Sequence, residues 1–123
     1  MKISVILPYK ENFSSEYAGA VSLQLKDTIN LSKYKKNIKI FGHTTFKQNI
    51  LKKNYVNLST KKFFFQSTSN VYVRNFLDYE NKESSNLIEI HNRPNYVKNI
   101  YKINKNLVLY FHNNPLDIKG SKT

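Results

Sequence analysis

The chain reads as an α/β domain: a Rossmann-like three-layer sandwich around a mainly parallel sheet. Three observations lead there. Short apolar runs alternate with stretches of helical periodicity, the order that produces a parallel sheet with crossover helices. The runs are apolar almost throughout instead of alternating in polarity, which fits strands buried on both faces. Each of the three histidines stands just past the end of such a run: His43 after Ile38–Gly42, His91 after Leu87–Ile90, His112 after Leu107–Phe111. In a parallel sheet that places all three imidazoles along the carboxyl edge, where the connecting loops converge on a crevice.

The elements follow in order. Residues 2–7 form a first strand ended by Pro8, and a helix is expected over 16–33, with Val21, Leu25 and Ile29 at helical spacing beside Ala18 and Leu31. Ser14 or Ser15 can cap it by accepting an orphan backbone N–H. Residues 37–42 form a second strand. Residues 44–60 carry a poor signal and read as irregular with about one helical turn. Phe63, Phe64 and Phe65 read as buried without a defined state. A second main helix spans 68–82 on Val73, Phe76, Leu77 and Glu80, followed by a strand over 86–90. Pro94 suits the first turn of a short helix through Tyr96, Val97, Ile100 and Tyr101, because its missing N–H is unpaired there in any case. The last strand covers 107–111. From Leu116 to Thr123 no helix follows to cover it, the pattern of a domain cut short.

With 123 residues there is room for one domain and one modest core, so residues 1–123 are read as a single unit. No apolar stretch approaches the roughly 20 residues that span a bilayer, and the first strand is too short for a signal-peptide core. The absence of cysteine rules out disulfides and thiolate chemistry. A cytoplasmic location is the default expectation. The net charge of +12 would attract nucleic acid, anionic lipid or phosphorylated substrates. Of twenty basic residues, however, only Arg74 and Arg93 are arginine, and the lysines are dispersed. Base readout favours bidentate arginine, so the composition argues against a dedicated nucleic-acid reader. An A/T-rich codon bias also accounts for much of the Lys, Asn, Ile and Tyr content.

The loops at the carboxyl edge carry the candidate chemistry. After the first strand come Pro8-Tyr9-Lys10-Glu11, and the next helix opens on Tyr17-Ala18-Gly19-Ala20. So small an opening lets backbone N–H groups approach a phosphate or hydroxyl; close packing explains Gly19 equally well. His91-Asn92-Arg93-Pro94 offers an imidazole, an amide and a guanidinium in one tight loop, suited to sugar hydroxyls or phosphate, though it would equally serve as a helix cap. His112 is followed at once by Asn113-Asn114-Pro115, with Lys119 and Lys122 close behind, which favours an exposed site over a core histidine. His43 is the weakest of the three, since nothing near it in sequence converges. Glu89, between Ile88 and Ile90, is expected to face a polar pocket or a partner. There is no zinc-ligand spacing, no G-x-S-x-G elbow and no P-loop.

Taken in order, Met1-Lys2-Ile3 to Pro8-Tyr9-Lys10, Ala18-Gly19-Ala20-Val21-Ser22, Ile90-His91-Asn92-Arg93-Pro94 and Tyr110-Phe111-His112-Asn113 resemble the N-terminal half of a GT-B, family 4 glycosyltransferase. The resemblance covers nearly the whole chain. It implies an acceptor-side domain facing a C-terminal domain that binds a nucleotide-sugar donor and carries the family's paired glutamates. It further implies that His112 contacts the transferred sugar, that Gly19, Ala20 and Lys119 lie near the donor phosphates or sugar, and that His91, Asn92, Arg93 and Tyr9 line the acceptor side. A paired glycine is usual in that family, and here Gly19 stands alone. The implied substrates are a nucleotide-sugar and a glycan or lipid-linked acceptor, with no metal and no further cofactor. The lysine-rich surface would add peripheral contact with anionic lipid at the inner membrane face, at roughly 1 kcal/mol per residue. The chain alone would not turn over. Two other classes compete: a stand-alone nucleotide- or sugar-binding module, and a basic RNA-binding protein using its tyrosines and phenylalanines.

Overall fold

Ile3, Val5 and Leu7 bury into one apolar cluster and Ile6, between them, into another. That alternation sets the architecture of this computed structural model, which describes residues 1–16, 18–46, 50–60 and 67–112. Strands β1 (Ile3–Ile6), β2 (Ile38–Gly42), β3 (Tyr55–Asn57), β4 (Leu87–His91) and β5 (Leu107–Tyr110) form one sheet in the order β3-β2-β1-β4-β5. Every pairing is parallel, with Ile3 beside both Ile38 and Leu87, Ile40 beside Tyr55, and Ile88 beside Leu107. Helix α1 (Ala20–Asn30) packs Val21, Leu25 and Ile29 on Ile3, Val5, Ile38 and Ile40. Helices α2 (Thr68–Lys82) and α3 (Val97–Tyr101) pack Tyr72, Val73, Phe76 and Ile100 on Ile6, Phe41, Ile88 and Ile90. The result is a Rossmann-like α/β fold with helices on both faces.

The second helix matches its expected span, and Ser67 caps it by accepting from Asn70 N at 3.1 Å. Helix α1 is shorter than the pattern over 16–33. Its N-cap is Gly19, without a side-chain bond, and neither Ser14 nor Ser15 takes that place. The reason lies upstream: Phe13 is fully buried and stacks on Tyr55 at 5.5 Å, so the chain turns inward before the helix can begin. At the other end, Leu31 lies outside the helix and is almost fully exposed.

Strand β3 was not expected within the irregular stretch 44–60. It is only three residues long, and its anchor is a polar residue. Buried Asn54 donates to the carbonyls of Lys35 and Ile38 at 2.7 and 2.9 Å, and its own carbonyl accepts from Ile40 N at 2.7 Å. Pro94 opens a 3-10 turn (Pro94–Tyr96) that runs directly into α3. The last strand departs from the expectation of two buried faces: Leu107 and Leu109 pack on the α2–α3 side, while Val108 and Tyr110 are exposed on the other. Phe63, Phe64, Phe65, Tyr17, Lys119 and Lys122 lie outside the described residues.

Candidate functional site

Strand β1 has β2 on one side and β4 on the other, so the chain leaves the centre of the sheet in two directions. At such a switch point the loops after the two central strands part and leave a crevice. Here those loops carry Tyr9 and residues 91–93. Tyr9 N is held by the Tyr96 hydroxyl at 3.3 Å, tying the loop after β1 to the turn after β4. Buried Tyr72 donates to the carbonyl of Leu7 at 2.6 Å and lies 3.1 Å from that of Phe41, which fixes the carboxyl ends of β1 and β2. Burial raises the pKa of both phenols, so Tyr72 and Tyr96 act as neutral hydrogen-bonding groups.

Parallel pairing brings His91 and His112 into contact. His91 is the last residue of β4 and is buried, not past the strand's end in an open loop. Its Nδ1 lies 2.8 Å from His112 Nε2 and its Nε2 lies 3.4 Å from Glu89 Oε2. On the far side, His112 Nδ1 lies 2.9 Å from Gln24 Oε1 of α1. The His91 ring stacks on Tyr110 at 4.9 Å and on His112 at 5.1 Å. Residues of β4, β5 and α1 thus form one polar chain: Glu89, His91, His112, Gln24. Glu89 faces this chain, which answers the expectation that it serves a polar environment.

Hydrogen-bond chemistry restricts the protons of this chain. A carboxylate only accepts, so Glu89 favours a proton on His91 Nε2, and a single proton bridges the two rings. With both rings neutral, His112 Nδ1 has a lone pair and needs the Gln24 amide N–H. With one added proton, His112 Nδ1 donates to Gln24 Oε1. A second added proton would set two N–H groups face to face. Burial first, and then the neighbouring His91, hold the His112 pKa below the ordinary histidine value. The Glu89 carboxylate, with a smaller effect of burial, raises that of Tyr110.

Asn92 takes φ of 57°, a left-handed conformation that asparagine tolerates better than most residues. That turn lets its side-chain oxygen accept from His112 N at 3.0 Å and its backbone N–H donate to Tyr110 O at 2.7 Å. Arg93 folds back, donating to the Asn92 carbonyl at 2.7 Å. His91, Asn92 and His112 therefore form one knot.

Gly19 and Ala20 stand at the α1 N-terminus, but the neighbourhood is occupied. A Cβ on Gly19 would overlap the Glu11 carboxylate, which accepts from Ser22 Oγ at 2.9 Å. A side chain at this position would make the Glu11 carboxylate shift. Glu11 stands where an anion would sit, so a phosphate at Gly19 and Ala20 requires it to move.

His43 is better placed than its sequence surroundings implied. With Tyr9, Lys10, Asn12, Thr44, Thr45, Thr60 and Thr68 it lines a cavity of about 290 Å³ on the β2 side of β1. The sequence signal for it was spread over four segments, visible only as scattered threonines. Among the described residues no cluster of three or more His, Cys, Asp or Glu could hold a metal, and no helix is long and apolar enough to cross a membrane. Comparison with known proteins finds no matching family model, curated protein or solved structure.

Proposed function

We propose that this chain is the acceptor-side domain of a GT-B, family 4 type glycosyltransferase, which moves a sugar from a nucleotide-sugar to a glycan or lipid-linked acceptor. One observation supports the reading above others. The switch point between β1 and β4 gathers Tyr9, Asn92, Arg93 and His112 along one carboxyl edge, with Gly19 and Ala20 opening the helix that follows β1. In this reading the acceptor lies on the Tyr9, Asn92 and Arg93 side, His91 supports His112 from beneath, and His112 meets the transferred sugar. Contact with that sugar frees His112 Nδ1 from Gln24, an exposed bond that is readily exchanged for a substrate hydroxyl. The donor's diphosphate is held mainly by the second domain that the sequence resemblance implies. The cytoplasmic side, at an anionic membrane face, is where such a chain would work.

The test is acceptor-dependent release of nucleoside diphosphate from nucleotide-sugars, using the native polypeptide that carries this sequence, its length established by intact mass. His112→Ala is expected to lower turnover by about 100-fold, the scale of losing one positioned polar contact to the reacting sugar. Undiminished turnover in that variant would remove His112 from the mechanism, and no release by the native polypeptide would remove the reading itself.

A nucleotide- or sugar-binding module without chemistry is the second reading. It is favoured by the pairing of both His112 ring nitrogens, which leaves neither open in this state. Binding of a nucleotide-sugar without turnover would select it. An affinity for RNA that collapses steeply with salt would instead select nucleic acid.

A further inference from the structure

The two candidate regions of the carboxyl edge differ in one respect. Around His91 and His112 the polar groups bind each other; around His43 several of them have no partner among the described residues. His43 Nδ1 lies 2.8 Å from the carbonyl of Leu58. A carbonyl oxygen only accepts, so the proton of the neutral ring sits on Nδ1 and Nε2 carries the lone pair. That Nε2 has no partner among the described residues. The same holds for the hydroxyls of Thr45, Thr60 and Thr68, while the Lys10 ammonium lies 5.5 Å over the Tyr9 ring with no carboxylate partner among the described residues. Thr44, by contrast, is buried and works as scaffold. Its hydroxyl donates to Asn12 Oδ1 at 3.0 Å and accepts from Phe46 N at 3.1 Å, and its own N–H donates to Asn57 Oδ1 at 2.8 Å.

Among the described residues the cavity lining contains no acidic side chain. A second cavity, of about 190 Å³ at the opposite edge of the sheet, shows the contrast. There Lys39 is paired with Glu83 at 2.7 Å, and Glu80 accepts from Ser85 N and Oγ at 2.8 Å each. Two carboxylates thus stand among the lysines Lys2, Lys36 and Lys39 that line it. At the His43 cavity one cation, three hydroxyls and one lone-pair nitrogen, unpaired among the described residues, belong to side chains that line a space of about 290 Å³, near the lower bound for small-ligand sites of roughly 300 Å³.

We propose that this cavity binds a small phosphorylated polyol, of the size of a pentose phosphate. Lys10 and the threonine hydroxyls hold the phosphate, and His43 Nε2 accepts a hydrogen bond from a hydroxyl of the carbon skeleton. Phosphate oxygens only accept and match the donors; the polyol hydroxyl donates and matches the one open acceptor nitrogen. The site stands whether or not the chain takes part in glycosyl transfer, because none of its contacts uses His91 or His112.

The test is an NMR titration of the 123-residue chain with ribose 5-phosphate, compared with ribose and with inorganic phosphate. Saturable shifts at Lys10, His43, Thr45 and Thr68 are expected, with a Kd near 1 mM, or about −4 kcal/mol. Long-range ¹H–¹⁵N spectra should show the Nδ1–H tautomer of His43, with the Nε2 resonance moving as ligand is added. Lys10→Gln should weaken binding by about fivefold or more, the scale of one charge-assisted bond. Three results would each overturn the proposal: no saturation, an unchanged Kd in Lys10→Gln, or inorganic phosphate binding as tightly as ribose 5-phosphate. Shifts confined to His91 and His112 would place the ligand elsewhere and overturn it equally.

Discussion

Gly19 shows how a residue of the proposed site also answers to its packing. Its neighbourhood is filled by the Glu11 carboxylate on Ser22. Adding a methyl there displaces a flexible side chain and one hydrogen bond, so Gly19→Ala is expected to lower stability by about 1 kcal/mol. In a Glu11→Ala background the cost should shrink to roughly 0.5 kcal/mol, the margin by which glycine outranks alanine as an N-cap. Urea denaturation of the four-member cycle reads the coupling directly, and strict additivity would refute the contact. His112 makes a second prediction. Its pKa is lowered in the folded state, so as pH falls the unfolded chain takes up the proton first. The stability it contributes is therefore intact above about pH 6.5 and is lost as pH drops through the ordinary histidine value toward the depressed one. Glu89 and Tyr110 reach it through His91, and Gln24 faces it directly. The urea midpoint of the native chain should fall over that interval more than that of His112→Gln; parallel curves would count against the assignment.

At the scale of elements, the clearest signals were those a segment carries by itself. Helix α2 has an N-cap serine, a helical apolar stripe and a buried face, and its span follows from these alone. Ser67→Ala should cost about 1 kcal/mol, because the cap's hydrogen bond to Asn70 N has no substitute. Ser67→Asp keeps a side-chain acceptor and should lose little; a loss as large as that of Ser67→Ala, measured by the same urea midpoint, would show that the effect is not capping. The helical periodicity of α1 continues upstream of Ala20, whereas the burial of Phe13 against Tyr55 keeps that stretch out of the helix. Strand β3 was illegible for a related reason. Three residues define no period, and what places them is Asn54, whose partners are backbone groups of a distant segment.

The whole molecule combines a small core with a large like-signed charge. At +12 the compact state repels itself, and salt relieves that repulsion. Raising monovalent salt from about 10 mM to about 150 mM, which shortens the screening length from roughly 30 Å to 8 Å, should raise Tm. A Tm that fell with salt would mean that pairs such as Lys39–Glu83, where the lysine holds the carboxyl pKa below its usual range, outweigh the general repulsion. The sheet also has two unlike sides at β5. Leu107 and Leu109 are packed against α2 and α3, while Val108 and Tyr110 are exposed on the other side.

The sequence by itself determined the class of this protein. Apolar runs alternating with helical patterns leave few ways to bury every strand, and a parallel sheet with helices on both faces is the one adopted. It also placed the three histidines at one edge, since that needed only the strand ends and parallel pairing. Which histidine meets which residue was decided by the tertiary structure. The order β3-β2-β1-β4-β5 puts His91 and His112 on adjacent strands and leaves His43 beyond β1. Adjacent rings at hydrogen-bonding distance share a proton, whereas the Nε2 of the distant ring has no partner among the described residues. Sheet order arises from contacts among segments dozens of residues apart, and no local pattern encodes it.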